Sequence, residues 1–208
     1  MTTTIADALA AQGLPRSELR LLLMHLLPDL THARIVAHPE LELEQDIYTR
    51  FCSLLARRQA GEPIAYLLGA REFFGRPFMV GPAVLIPRPE TEHLVEAALQ
   101  RQGLASAAVL DLGCGSGAIS VTLALEAPAW QLTAVDLSSD ALAVARRNAQ
   151  LLGASVDFYQ GSWFDPLPLD ARFNLIVSNP PYIASDDHHL DEGDVRFEPR
   201  MALTDGAD

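Results

Sequence analysis

Asn179-Pro180-Pro181-Tyr182 closes the apolar run Phe173-Asn174-Leu175-Ile176-Val177-Ser178. A side-chain amide oxygen, a proline-fixed carbonyl and an aromatic ring therefore stand at the mouth of an expected strand. Together they are equipped to hold a planar NH2 group. The nitrogen of a carboxamide or a nucleobase is a poor nucleophile, because its lone pair is delocalised into the adjacent π-system. Two acceptors gripping its hydrogens orient it and favour the more pyramidal, more positive nitrogen of a methyl-transfer transition state. Pro180 and Pro181 donate no N–H and fix φ, so the turn presents carbonyl oxygen without a competing donor. The Tyr182 ring can pack on a flat substrate. An isolated Pro-Pro after a buried strand would be only a turn. A second motif, upstream, tips the balance towards chemistry.

That motif runs Ala107-Ala108-Val109-Leu110-Asp111-Leu112-Gly113-Cys114-Gly115-Ser116-Gly117 and leads into the helical pattern Ala118 to Glu126. A buried strand enters a glycine turn and then a helix N-terminus, whose free N–H groups face whatever binds. Gly113-x-Gly115-x-x-Ala118 also satisfies the dinucleotide fingerprint, with Asp136 about where a ribose-binding acid is expected. Alone, this loop suits either NAD or S-adenosylmethionine. Asp111 discriminates: a carboxylate just before the glycines faces a pyrophosphate badly and suits the ammonium of a methionine moiety. Asp136 closes the strand Gln131 to Val135 and can accept charge-assisted bonds from both ribose hydroxyls. Either acid alone could be an N-cap or turn residue. Their joint placement at the carboxyl ends of successive strands argues otherwise.

Four segments now stand in order: Leu85-Ile86-Pro87-Arg88-Pro89-Glu90-Thr91-Glu92, the glycine motif from Asp111 to Gly117, Asn179-Pro180-Pro181-Tyr182, and Asp194-Val195-Arg196-Phe197-Glu198-Pro199. In this order they closely resemble the peptide-chain release-factor glutamine N5-methyltransferase family, over essentially the whole chain. The glycine loop is common to many methyltransferases. The Asn-Pro-Pro-Tyr turn is specific to methylation of amino nitrogens, and the Ile-Pro-Arg-Pro-Glu-Thr-Glu segment narrows the likeness further. The resemblance implies S-adenosylmethionine as methyl donor, S-adenosylhomocysteine as product, and the glutamine of a Gly-Gly-Gln tip on a release factor as substrate. It also implies that Trp163 lies beside the adenine, with a core aromatic as the plain alternative, and that the Arg88–Glu92 segment lies near the active cleft.

Composition narrows the field independently. The 208 residues carry a formal charge of −12, which disfavours stable binding to a nucleic-acid backbone. All 15 basic residues are arginine, so there is no phosphate-loop lysine and no Schiff-base chemistry. Kinase and ATPase readings fall here. No apolar run is long enough to span a bilayer, no signal peptide is legible, and a cytoplasmic protein is expected. Cys52 and Cys114 do not make a disulfide scaffold or a zinc site, and Cys114 reads as a small residue of the glycine turn. Asp186-Asp187-His188-His189 has the residue types of a metal site, but neighbours on a loop seldom converge on one ion, so no metal is expected. Oligomeric state is not legible.

These groups need elements to position them. Residues 1–70 read as short helices: Thr3 to Ala11, then Glu18 to Leu27 opened by Ser17, then Glu44 to Gln59. Leu19, Leu22, Leu23, Leu26 and Leu27 form a core stripe. Residues 71–85 read as a hairpin or extended connector carrying Phe73, Phe74 and Phe78. From residue 86 helix and strand alternate: a helix Glu90 to Gln102, a strand Ala107 to Asp111, a helix Ala118 to Glu126, and a strand ending at Asp136. A helix Ser139 to Leu151 and strands Val156 to Tyr159 and Phe173 to Ser178 follow. Such alternation predicts a parallel sheet with helices on both faces and ligands at its carboxyl edge.

The expected fold is therefore α/β: a small all-α substrate-recognition domain, then a Rossmann-like methyltransferase domain over residues 86–208. The resemblance implies further strands beyond the fourth, so the sheet is expected to be incomplete at the C-terminus, with 173–178 as an uncovered edge. Asn179 and the Pro180 carbonyl are assigned to the substrate NH2, with Pro181 and Tyr182 walling the pocket. Asp111, Gly113, Cys114, Gly115, Ser116, Gly117, Asp136, Trp163 and Asn179 are assigned to the cofactor. Alternatives are methylation of a ribosomal-protein glutamine, adenine N6 methylation of DNA, an NAD-dependent dehydrogenase that leaves the Asn-Pro-Pro-Tyr turn unexplained, and a non-catalytic binding module.

Overall fold

The computed structural model describes residues 3–10, 13–101 and 105–204. The chain divides after Leu68 into two compact units. The first contains the helices α1 (Ile5–Leu9), α2 (Arg16–Leu26), α3 (His32–Ala37), α4 (Gln45–Gln59) and α5 (Ile64–Leu68). The two-residue strands β1 (Thr3–Thr4) and β2 (Glu42–Leu43) pair antiparallel. Leu19, Leu22, Leu23 and Leu26 recur at helical spacing on α2 and are buried against Ile5, Ile35 and Phe51. Each such leucine contributes about 1.5–3 kcal/mol relative to exposure. Glu18 on α2 takes the Arg58 guanidinium of α4, Nε to Oε2 2.7 Å.

Two expectations shift in this unit, and its β1–β2 pair departs from the all-α expectation as well. Ser17 does not cap α2; the helix starts at Arg16 behind Pro15, whose φ of −59° already suits a helix start. The helices α3 and α5 were not anticipated. With six and five residues they hold too few turns for a 3.6-residue period to register. Only Thr31, whose hydroxyl accepts the Arg34 N–H, marks the start of α3. Ala11, the expected end of the first helix, lies outside the described residues.

The second unit opens with an antiparallel hairpin of β3 (Ala70–Phe73) and β4 (Arg76–Met79). Its two turn residues, Phe74 and Gly75, have φ of 51° and 71°, the left-handed pair that a two-residue hairpin requires. Such a φ is uncommon for a phenylalanine. The Phe74 N–H donates to Glu92 Oε1 at 2.9 Å, and the Gly75 N–H to Glu72 Oε1 at 2.6 Å. Glu92 thus fixes this turn. A 3-10 turn, Pro89–Thr91, precedes α6 (Glu92–Leu99); the expected end at Gln102 lies outside the described residues. Then follow β5 (Ala108–Leu112), α7 (Ala118–Glu126), β6 (Gln131–Asp136), α8 (Ser139–Leu152), β7 (Val156–Gln160) and β8 (Leu175–Ser178). The last strand starts two residues later than expected. Asn174 precedes it, exchanging backbone and side-chain bonds with Ala108.

The four strands are parallel in the order β7-β6-β5-β8. The chain steps outward from β5 to β6 and β7, then returns to the other side of β5. The switch point therefore lies between β5 and β8, where open α/β sheets bind ligands. Among the described residues helices pack on one face of the sheet, where the periodicity argument expected both. Within this unit α6 packs on α7 and α7 on α8, over the face bearing Val109, Asp111, Leu132 and Ala134. The other face, with Leu110, Leu112 and Val135, is packed by Leu167 and Phe173 from the segment between β7 and β8.

One buried polar side chain on α8 ties three parts together. Asn148 accepts the Met79 N–H at 2.7 Å and donates to the Met79 and Ser116 carbonyls at 3.0 and 2.9 Å. It joins the hairpin to the glycine loop. Asn148→Ala leaves these backbone groups without partners, and is expected to lower the unfolding free energy by about 1.5–3 kcal/mol in urea titration. A loss below roughly 0.5 kcal/mol would show that the tie carries no weight.

Candidate active site

Strand register brings the motifs together. Leu112 of β5 stands opposite both Ser178 of β8 and Val135 of β6. The next residues, Asn179, Gly113 and Asp136, consequently emerge side by side at the carboxyl edge. Asp136 in turn faces Gln160 of β7, which leads into Gly161, Ser162 and Trp163. A cleft of about 370 Å³ lies along this edge, lined by residues of all four strand ends. Of the anticipated residues it brings together Gly113, Cys114, Gly115, Ser116, Asp136, Trp163, Asn179, Pro180 and Pro181.

The glycine turn is held from both sides. The Gly113 and Cys114 N–H groups donate to the Val135 carbonyl, and the Gly115 N–H to Asp136 Oδ2 at 2.7 Å. Asp136 Oδ1 accepts the Ser138 N–H at 2.9 Å. Each carboxylate oxygen retains acceptor capacity, so Asp136 can still receive a pair of hydroxyls. This chemistry, with the amide-rich turn beside it, fits a nucleoside-bearing ligand. Gly117 stands outside the lining. It begins α7 with φ 77°, and a Cβ there would meet Ala145 Cβ at 3.2 Å. The missing Cβ lets α7 and α8 pack closely here.

Asp111 is likewise displaced from its expected place. It is fully buried and absent from the cleft lining. Its Oδ2 accepts the Ser120 N–H of α7 at 3.1 Å, while Oδ1 has no hydrogen-bond partner among the described residues. Asp111 therefore braces the helix from beneath the loop, and its position does not present a carboxylate to a ligand's ammonium. The sequence places it correctly at the strand end, but the pleat turns it towards α7. Burial pushes its carboxyl up to about 7, with the Ser120 bond opposing and the Asp136 charge adding. Burial also drives the Cys114 thiol well above its usual range; this cysteine stays protonated and is a packing residue.

The Ser178 hydroxyl donates to the Leu112 carbonyl at 2.8 Å and pins the start of the Asn-Pro-Pro-Tyr turn. Asn179 Nδ2 donates to Thr91 Oγ1 at 3.4 Å. Tyr182 does not wall the pocket: it is 81% exposed and outside the cleft lining. Two consecutive prolines carry the chain away before the ring can turn back. Trp163 is not a core aromatic; it is 58% exposed, lines the cleft, and holds φ at 47°. A bulky residue in the left-handed region is strained, a feature that clusters at ligand sites.

Sequence reasoning quoted the two flanking motifs without seeing how they meet. Glu198 is buried, accepts the Ile86 N–H at 2.9 Å and pairs with the Arg88 guanidinium. This clamp sets Arg88 and Thr91 on one side of the cleft, with Pro199 and Met201 also among the lining residues. The signal was the charge complementarity of Arg88 and Glu198, 110 residues apart. Asp187, His188 and His189 do converge, with ligand atoms within 4.8 Å. Asp187 Oδ1 accepts both the backbone N–H and the Nδ1–H of His189, capping the 3-10 turn His188–Asp191. His188 Nδ1 lies 3.6 Å from the same Asp187 oxygen.

A parallel sheet in this order, with a glycine turn and an acidic strand end at its switch point, defines a Rossmann-like nucleoside-binding unit. The methyltransferase small domain family matches residues 90–194, and the PrmC N-terminal domain matches residues 2–69. A release factor glutamine methyltransferase of Bordetella pertussis is 54% identical over 207 residues, covering 99% of this chain and 76% of the relative. Another, from Neisseria gonorrhoeae, is 50% identical over 206 residues, covering 99% of this chain and 75% of the relative. Among solved structures, a Thermus thermophilus 16S rRNA N2 G1207 methyltransferase superposes with TM-score 0.46 at 21% identity, over 56% of this chain and 33% of that one. The chain belongs to the release factor glutamine methyltransferase family.

Asp111 also makes a pH prediction. Its unfolded carboxyl ionises near 3.8 and its folded one near 7. Between these values only the folded state holds the proton, so this residue's contribution to stability is full at low pH and is lost as pH rises through the folded pKa. Relative to wild type, Asp111→Asn should remove a downward component of the stability profile between about pH 4 and pH 7. Parallel profiles in urea unfolding would mean that Asp111 ionises normally.

Proposed function

We propose that this protein transfers a methyl group from S-adenosylmethionine to the side-chain amide nitrogen of a glutamine in a peptide-chain release factor, giving N5-methylglutamine. The observation that carries the reading is the shared cleft edge. Asn179 and Pro180, acceptors suited to a planar NH2, stand one strand from the glycine turn and two from Asp136. Family membership supports the substrate class. The same membership, with the acidic balance of the chain, disfavours DNA, and a dehydrogenase would have no use for the Asn-Pro-Pro turn.

When bound, S-adenosylmethionine supplies an electrophilic sulfonium methyl and departs as S-adenosylhomocysteine. Asp136 and the turn Gly113 to Ser116 are the residues to hold its nucleoside and polar tail, and Trp163 offers a flat surface for the base. Asn179 Oδ1 accepts one hydrogen of the substrate amide and the Pro180 carbonyl accepts the other. Both bonds strengthen as the nitrogen becomes pyramidal and positive, so they favour the transition state over the ground state. Neither proline has an N–H to compete for these acceptors. The proton displaced from nitrogen passes to water.

The substrate glutamine lies in a Gly-Gly-Gln segment on this reading, and the helical unit, residues 3–68, supplies binding energy remote from the reacting atoms. Among the described residues no helix is long and apolar enough to cross a membrane.

Labelled methyl donor offered to a release factor, a ribosomal protein and DNA tests the substrate directly. Label should enter the release-factor glutamine, and a short Gly-Gly-Gln peptide should be much poorer than the folded protein. Asn179→Ala should keep S-adenosylhomocysteine affinity while lowering turnover by about 10² to 10³. Incorporation into DNA, or near wild-type turnover by this variant, overturns the reading.

A further inference from the structure

We infer that Thr91 is a positioning residue for Asn179, anchoring its side-chain amide at the cleft edge through a bond to Nδ2. This rests on the methyl-transfer reading above. An unanchored asparagine side chain turns about χ1 and χ2, and an Asn179 that leaves the edge loses its grip on the substrate NH2. The two prolines that follow offer no N–H to hold it.

Thr91 is placed for this. It lies 88 residues from Asn179 in sequence and receives Nδ2 on Oγ1 at 3.4 Å, and both residues line the cleft. A threonine just before a helix ordinarily caps it with its hydroxyl, from an extended backbone. Thr91 instead has φ −68° and ψ −20°, and its side chain makes no capping bond to α6. Its β-branched side chain is stiff about χ1. The segment beneath it is fixed at several points. The Thr91 N–H donates to the Arg88 carbonyl at 3.0 Å, Arg88 and the Ile86 N–H are taken by buried Glu198, and Glu92 accepts the Phe74 N–H. The bond to Oγ1 therefore anchors the Asn179 side chain to a segment that is itself fixed.

Thr91→Val keeps the shape and removes the hydroxyl; Thr91→Ser keeps the hydroxyl. In the methylation assay the valine variant should lose about threefold to tenfold in kcat, with both KM values within about twofold and unfolding unchanged, and serine should restore kcat. On an Asn179→Ala background the same substitution should have no further effect, because the group it positions is gone. Independent losses that multiply, or a valine variant with wild-type kcat, overturn the proposal. A second readout does not depend on the substrate. The Asn179 NH2 pair in an 15N spectrum, assigned by its loss in Asn179→Ala, should sit away from the random-coil position in wild type and in Thr91→Ser. It should move to that position in Thr91→Val; an unmoved pair overturns the positioning role. If wild type methylates no release factor, the reaction assignment fails while the NMR result still decides what Thr91 does.

Discussion

The site depends on the in-register parallel pairing of β8, β5 and β6. Ser178, Leu112 and Val135 stand side by side across three strands, so the residue after each is delivered to the same edge without further adjustment. Side chains alternate along a strand, and a slip of one residue would send Asn179 or Asp136 to the wrong face. Apolar burial enforces the register. Val109, Leu110, Leu112, Val135 and Val177 are all buried, and any slip exposes one set of them.

Burial fixes the strands but cannot fix the loops between them, and here the protein uses buried polar side chains. Asn148 reaches from α8 to the hairpin and the glycine loop. Glu198 ties down the segment ahead of α6. Asp111 braces the start of α7. A hydrophobic contact is non-directional, whereas each of these bonds specifies one backbone position at one distance. Such groups are costly when left unpaired, which makes the loops cooperative with the core. Asp111 carries part of that cost, since one of its oxygens has no partner among the described residues.

The two ends of the cleft differ in character. At the Asp136 end the groups are charged or backbone amide, suited to hydroxyls and a polar tail. At the Asn179 end they are neutral acceptors beside prolines, suited to orienting an NH2 without protonating it. A carboxylate in place of Asn179 would add a charge to a transition state that needs geometry. Trp163, held in a strained backbone conformation, adds a flat exposed ring to the lining.

Residue order alone determined the chemistry and the class of fold. The Asn-Pro-Pro-Tyr turn, the glycine loop, Asp136 and the helix–strand alternation are local patterns, and local patterns survive in a linear text. The α2 leucine stripe was legible for the same reason: a run of apolar residues at 3.6-residue spacing needs no partner to be recognised. The tertiary structure alone decided which side chains reach the cleft. Asp111 and Tyr182 stand outside the cleft lining because strand pleat and the path after two prolines set their directions. The room that the missing Cβ of Gly117 leaves for Ala145 is likewise visible only in three dimensions. Thr91 meeting Asn179 and Arg88 meeting Glu198 are pairings across 88 and 110 residues. Sequence spacing carries no distance at that range; the sheet and its clamped loops supply it.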